Sequence, residues 1–319
     1  MSCNFAMADS GGECVVAILS NVEEHPDPWF GEPSRGAGSC PLVLGECVQG
    51  QIRGGPHFLI TAPIKLDSRA EFIADLSRDH ITVEPAHCVK SLEAVCQYIA
   101  GENLPLSGLL RVYTGTPTSL GFGTSTADIA ASVRAAAAAW NRSASPEAIS
   151  RIAISIEPTD GSMFAGSVAY AHREGRLLEA LGSLPRFRAI VILCGVGVDT
   201  VAFDNYRVHF RYSAEAEQKL QRAWWMVRES IRTADVSILG QAGIISAEIN
   251  QELLFKPLFD EIRNAVEPLG ASGLLVAHSG SLLGVILDPG KQDYLDRRER
   301  VLRFLEELNV SVWCEVANY

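Results

Sequence analysis

Long apolar runs are missing from this sequence. The longest, the alanine stretch 135–139 and residues 189–194, fall far short of the ~18–20 residues that a bilayer crossing requires, so no membrane span is expected. The first residues lack a basic segment followed by an apolar block, so no secretory leader is expected either. Positive charge is scarce: 27 Lys and Arg stand against 38 Asp and Glu, a net charge of −11. Such a surface repels a polyanion, which argues against sequence-independent nucleic-acid binding. Small anions stay open as ligands, because helix N-termini and backbone amides bind phosphate without Lys or Arg. The eight cysteines, at 3, 14, 40, 47, 88, 96, 194 and 314, contain no C-x-x-C pair. Several sit inside apolar runs and read as buried reduced thiols of a cytoplasmic protein. Cys40, Cys47, His87 and Cys88 match no zinc spacing. What is present is ordinary globular material: 319 residues, 47% hydrophobic and 20% charged, enough for one large domain or two modest ones.

Residues 1–38 are rich in Gly, Pro, Ser and acidic side chains and read as a loose extension, with Val15–Leu19 as its one candidate strand. From Cys40 the pattern changes. Phe58–Leu66 and Leu109–Tyr113 read as strands. Ser125–Trp140 reads as a helix opened by Ser125, with Asp128 three residues on as in a capping box, and Pro146 starts a second helix to Ile156. Beyond Pro185, the order is strand Ala189–Cys194, helix Ala214–Thr233, helical segments Ile244–Leu254 and Pro257–Leu269, and short strands Leu274–Ala277 and Leu282–Leu287. An amphipathic helix Gln292–Leu308 and a closing strand Val310–Val316 follow. This is a split βαβ, ferredoxin-like order, and it places a domain boundary near 183–188. The alanine run reads as close helix packing.

Three Gly/Ser turns carry the chemistry. The segment from Pro117 through Leu120-Gly121-Phe122-Gly123 to Thr124-Ser125-Thr126 is a tight small-residue turn running into a helix. Glycines admit close backbone approach and the first helical N–H groups are unpaired, which together suit a phosphate chain. The Gly-Lys-Ser/Thr ending of a Walker A loop is absent. Upstream, Cys40-Pro41 to Gly45-Glu46 and Gly50 reads as a Pro-x-x-x-Gly-Glu turn near the first strand. Downstream, Val276-Ala277-His278-Ser279-Gly280-Ser281 joins two strands. At a helix end, Glu157 and Asp160 flank Pro158, a pair able to divide metal binding from base work. Two alternatives use parts of the same material. Gly123-Thr124-Ser125-Thr126-Ala127 approximates a nucleophile elbow with Ser125 as nucleophile and His278 as base. Gly195-Val196-Gly197 follows an apolar strand, as a dinucleotide-binding turn would.

As a set, these motifs resemble the GHMP kinases, the galacto-, homoserine, mevalonate and phosphomevalonate kinase superfamily. Pro117 to Ala127 is similar to that superfamily's Pro-x-x-x-Gly-Leu-Gly-Ser-Ser-x-Ala loop, with Phe122 and Thr124 as departures. Cys40 to Gly50 resembles its first motif, and His278 to Ser281 stands at its third. Within the superfamily the resemblance runs to the L-threonine kinases of cobalamin side-chain synthesis, through the 125–131 run, Ser155 to Asp160 and Val276 to Gly280. Leu42-Val43-Leu44 departs from the small polar residues of that group.

The resemblance implies an α+β, two-domain protein. An extension at 1–38 would precede a ribosomal-protein-S5-like ATP-binding domain at 39–185 and a ferredoxin-like domain at 186–319. It implies ATP, Mg²⁺ and transfer of the γ-phosphoryl group to L-threonine or a related small alcohol, and it is compatible with a homodimer. Pro117, Gly121, Gly123, Thr124, Ser125 and Thr126 would hold the nucleotide. Ser125 and Glu157 would hold the metal. Asp160, with Ser125, would be catalytic. Gly45, Glu46, His278, Ser279, Gly280 and Ser281 would serve the acceptor side. Retention of Ser125, Glu157 and Asp160 fits an active kinase rather than a non-catalytic binding protein.

Overall fold

The computed structural model describes residues 35–51, 54–194 and 210–319. Val15–Leu19 and the Gly195–Thr200 turn, with the dinucleotide alternative that rests on it, lie outside the described residues. The chain packs as two compact units that interleave along the sequence. One holds 67–115 and 125–156 with the described residues up to Cys40. The other holds 41–66, 116–124 and 157–319. Two long strands, β1 (Arg35–Gln51) and β2 (His57–Ala74), each contribute a segment to both.

In the first unit, the β2 segment 69–74 pairs antiparallel with β4 (Gly108–Tyr113), from Arg69↔Tyr113 to Ala74↔Gly108. Strand β3 (Ile81–Glu84) lies parallel to β4. Helices α1 (Val89–Gly101), α2 (Thr124–Ala139) and α3 (Pro146–Ile156) complete the unit. Phe72, Leu92, Val95, Ile99, Leu110, Ile129, Val133 and Ile149 are buried in its interior. The alanine run has the packing role expected of it. A Cβ on Gly36 or Gly38 of β1 would stand 2.2 Å from the carbonyl oxygen of Ala135 or Ala131, so strand and helix meet backbone to backbone.

In the second unit the strand order is β10-β7-β9-β8-β1-β2. Its members are β7 (Arg188–Leu193), β8 (Gly273–Val276), β9 (Leu282–Leu287) and β10 (Val312–Ala317), all antiparallel to their partners from β10 to β1. Strand β5 (Ser167–Ala171) joins β2 through Leu59↔Tyr170 and carries β6 (Arg176–Gly182). Among the described residues the unit also holds four helices: α4 (Ala214–Thr233), α5 (Val236–Asn250) and α6 (Phe259–Leu269) between β7 and β8, and α7 (Tyr294–Glu307) between β9 and β10. Ile190, Ile192, Phe259, Ile262, Leu274, Leu283, Val285, Val301 and Leu305 form one apolar core. Burying a side chain of that size contributes roughly 1.5–3 kcal/mol. The caps explain the helix starts. Ser213 accepts from the Ala216 amide at 3.1 Å and Asp235 from the Ser237 amide at 2.7 Å.

Several expectations need correction. The 40–50 segment is the buried end of a long strand rather than a turn. Strand β2 continues eight residues past Leu66, and α5 begins at Val236 because Asp235, not a later residue, caps it. Asp128 does not cap α2. Buried, it accepts hydrogen bonds from the Ser68 hydroxyl and, at 2.7 and 2.8 Å, from Thr114. None of the six described cysteines is in a disulfide. Among the described residues no helix is long and apolar enough to cross a membrane.

Candidate active site

Tertiary contacts bring the loop at 117–124, the 41–50 end of β1 and the turn after β8 together inside the second unit. Residues 117–123 form an irregular loop, and Gly123 hands the chain to α2 at Thr124. Two neighbours clamp this loop. From β1, the Val43 amide donates to the Phe122 carbonyl at 2.9 Å. From the turn after β8, the Ser281 and Leu282 amides both donate to the Leu120 carbonyl, at 3.1 and 3.0 Å. Phe122, one of the departures from the family loop, is fully buried against the Trp313 ring, with centroids 5.0 Å apart. The departure thus sets an aromatic ring, paired with Trp313, where the family loop carries leucine.

The glycines allow this crowding. Gly121 has φ +107°, and a Cβ there would meet Ala277 Cβ at 2.3 Å. Gly280 has φ +100° and lies against the backbone of Leu120 and Gly121. Gly123 has φ +65°, and its missing Cβ would stand 2.5 Å from Asp160 Oδ2 and 2.8 Å from Val43 Cγ2. The Asp160 carboxylate therefore lies against the last residue of the loop. Its other oxygen, Oδ1, accepts from the Ser162 amide at 2.8 Å, a two-residue turn that fixes its direction. Asp160 and Glu157 are both buried, just after the C-terminus of α3. The Thr159 amide ties the segment to the His172 carbonyl at 3.1 Å.

On the acceptor side, Glu46 sits in β1 opposite Val276, and its carboxylate accepts from the His278 amide. Gly45, with φ +56°, lets β1 pass within contact of the Val276 and Ala277 backbone. Thus Gly45, Glu46, Gly121, Gly123, Asp160, His278, Gly280 and Ser281 occupy one connected neighbourhood. Ser279 packs there through its backbone oxygen, 2.8 Å from the Cβ that Gly121 lacks. Pro117 lies at the exposed start of the loop, and Thr124 faces the Thr116 hydroxyl at 3.2 Å. Ser125 and Thr126 stand in the first turn of α2, in the other unit. That placement removes the nucleophile-elbow alternative. An elbow serine sits on a sharp strand-to-helix turn, whereas Ser125 is already helical and follows an irregular loop.

One residue of the neighbourhood was not anticipated. Lys256, between α5 and α6, is 2% exposed, and its Nζ donates to the Gly280 carbonyl. Burial lowers its pKa to about 8, with Glu46 and Cys194 pulling the other way. Nothing in Leu254-Phe255-Lys256-Pro257 marks it, since a lone lysine between helices is usually solvated.

Clamped glycine loops beside a fixed carboxylate suit phosphate transfer, in which positioning does most of the work. Comparison with known proteins agrees. A family model, the GHMP kinases N terminal domain, matches residues 86–168. The chain is 30% identical over 254 residues to the L-threonine kinase of Citrobacter freundii, covering 80% of this chain and 87% of that one. The L-threonine kinase of Salmonella typhimurium is likewise 30% identical, over 80% of this chain and 83% of its own. Among solved structures, homoserine kinase from Cytophaga hutchinsonii superposes with a TM-score of 0.65 at 13% identity, covering 94% and 97% of the two chains. The L. major mevalonate kinase in complex with R-mevalonate gives 0.64 at 14%, covering 99% of each. At such low identity these two structures speak for the fold alone. The chain belongs to the GHMP kinases, phosphotransferases that act on hydroxyl groups.

Proposed function

We propose that this protein transfers the γ-phosphoryl group of ATP to the side-chain hydroxyl of free L-threonine, giving O-phospho-L-threonine and ADP, in support of cobalamin synthesis. The observation that carries the kinase reading is the clamped loop 117–123 with Asp160 against its last glycine. In the reaction the acceptor oxygen bonds to the γ-phosphorus as the bond to the bridging oxygen breaks, and the hydroxyl proton passes to Asp160. Backbone amides from 121 to 126 hold the phosphates. The strand order β10-β7-β9-β8, with helices between β7 and β8 and between β9 and β10, supports the ferredoxin-like reading of 186–319. The nucleotide-binding reading of 39–185 rests on the family match at residues 86–168.

Mg²⁺ fits the donors. Among the described residues no group of three or more His, Cys, Asp or Glu would cage a metal by itself. Mg²⁺ commonly takes one or two carboxylates and completes its shell with phosphate oxygens and water. A hydroxyl at Ser125 and a buried carboxylate at Glu157 are hard oxygen donors of that kind. When bound, the ion would neutralise charge on the β- and γ-phosphates. Ser125→Ala and Glu157→Gln are each expected to lower kcat/KM for ATP by at least ~10-fold with an unchanged melting temperature. Near-normal values in both variants would remove the assignment.

The threonine acceptor rests on the two L-threonine kinases at 30% identity. A zwitterion needs a partner for each charge, since a buried unpaired ion is costly. Glu46 is the carboxylate assigned to the ammonium group. Val43, beside Gly123, offers the apolar wall for the β-methyl, whereas Leu44 packs against Gly284. A coupled ADP-release assay across L-threonine, L-serine, L-homoserine and simple sugars tests the acceptor. Threonine should lead, with serine behind by ~10–200-fold, the discrimination one methyl supplies. Faster turnover of homoserine or a sugar would leave the kinase and remove the threonine.

A further inference from the structure

We propose that Lys256 is a positioning residue for phosphoryl transfer, its ammonium bracing the Gly280–Leu282 turn against the phosphate loop. The inference rests on the kinase reading of loop 117–123. The linkage is short. Lys256 Nζ donates to the Gly280 carbonyl. The next two residues, Ser281 and Leu282, donate both amides to Leu120, immediately before Gly121. The Ser281 carbonyl is itself held, accepting from the Cys194 amide at 2.6 Å. One turn thus carries a cation on one side and the loop on the other.

Lys256 is placed by its own neighbours. Its amide donates to Gln251 Oε1 at 2.8 Å, and Phe259, two residues past Pro257, is buried in the core. The side chain reaches a crevice of about 240 Å³, counting space open to solvent, that it lines with Gln49, Asn250 and His278. The charged and titratable groups around it are Glu46 from β1, Cys194 after β7 and His278 from the turn it braces. A lysine 2% exposed is expensive to hold charged. A purely structural role would be met as well by an apolar side chain. The ammonium is used because an ionised donor roughly doubles the strength of the bond to the carbonyl, and because it balances the Glu46 carboxylate.

With a pKa of about 8, raising the pH through that value removes the charge and weakens the brace. The test is calorimetric titration of full-length protein with the magnesium complex of adenylyl imidodiphosphate from about pH 7 to 9.5, spanning the lowered lysine titration. No acceptor is needed. Wild type should bind five- to ten-fold more weakly at the upper end, on the order expected for one charge-assisted bond. Lys256→Arg should bind with no alkaline loss, because guanidinium stays ionised. Lys256→Met should bind at the weak, pH-independent level, with a lower melting temperature, because the buried Glu46 carboxylate loses its balancing charge and the Gly280 carbonyl its donor. The Arg variant, which keeps the charge, is the control for that loss of stability. Flat wild-type affinity across the range overturns the proposal, and so does a Met variant that keeps both normal affinity and the alkaline loss. If wild type binds the analogue but shows no alkaline loss, Lys256 loses its role and the kinase stands. If it binds no analogue at pH 7, the nucleotide reading falls and takes this proposal with it.

Discussion

Asp160→Asn is expected to lower kcat by ~10²–10⁴ while leaving KM for ATP within a few-fold, the signature of a group whose contribution lies in the transition state. The carboxylate is buried, one oxygen is fixed by the Ser162 amide, and the other lies against Gly123 at the end of the phosphate loop. The amide of Asn keeps the size and the turn but accepts no proton. Phosphoryl transfer through a loose transition state can proceed without a strong base, in which case Asp160 would only orient the alcohol. The two roles separate in the measurement. Steady-state kinetics at saturating acceptor should show the large kcat loss if Asp160 takes the proton. A loss below about fivefold assigns it to orientation alone.

The second large effect is expected from Gly123→Ala. The new methyl would stand 2.5 Å from Asp160 Oδ2 and 2.8 Å from Val43 Cγ2, against an ordinary contact of 3.4–4 Å, at a backbone φ of +65° that L side chains rarely adopt. Left-handed backbone alone costs roughly 1–2 kcal/mol. Relieving the contact moves the carboxylate by about 1 Å, a displacement able to cost ~10²-fold in rate. kcat/KM should fall by about that factor, with a modestly lower melting temperature. Gly101→Ala is the matched control, since nothing lies within 4 Å of its Cβ position and its φ is not positive. It should be silent. In a double-mutant cycle with Asp160→Asn, the Gly123→Ala penalty should largely vanish, because both changes act on one carboxylate. Activity within threefold of wild type in Gly123→Ala would show that the loop does not hold Asp160 in register.

Local signals made much of this fold legible. Helices α3 and α4 lie where Pro146 and the Ser213 cap place them, and β9 matches its apolar run from Leu282 to Leu287. Each boundary depends on a proline, a cap or a periodicity contained in a few neighbouring residues. The glycine-rich segments were legible for the same reason, since their composition announces backbone that comes close to something else. What they approach was not. Strand β1 hides behind glycines at 36, 38, 45 and 50, which a local reading takes for turn residues. It is extended because Gly36 and Gly38 lie against α2 and because the region of Gly45 and Glu46 meets β8. The polar stretch Asp67-Ser68-Arg69 similarly disguised the second half of β2, where Ser68 is buried by its bond to Asp128 and Arg69 pairs with Tyr113.

At the site, sequence by itself determined which residue types were available: three small-residue segments, two carboxylates three residues apart and a helix start rich in hydroxyls. Tertiary structure alone decided that Val43, Leu120, Phe122, Ser281 and Leu282 would join the turns. It also decided that Glu46 would be spent partly on the His278 amide, and that Lys256 would be buried beneath Gly280. The physical reason is range. Caps and periodicity act between residues a turn or two apart, whereas the burial of a lysine or the meeting of two loops is a property of segments separated in sequence, as Glu46 is from His278, and exists only after the chain has closed on itself.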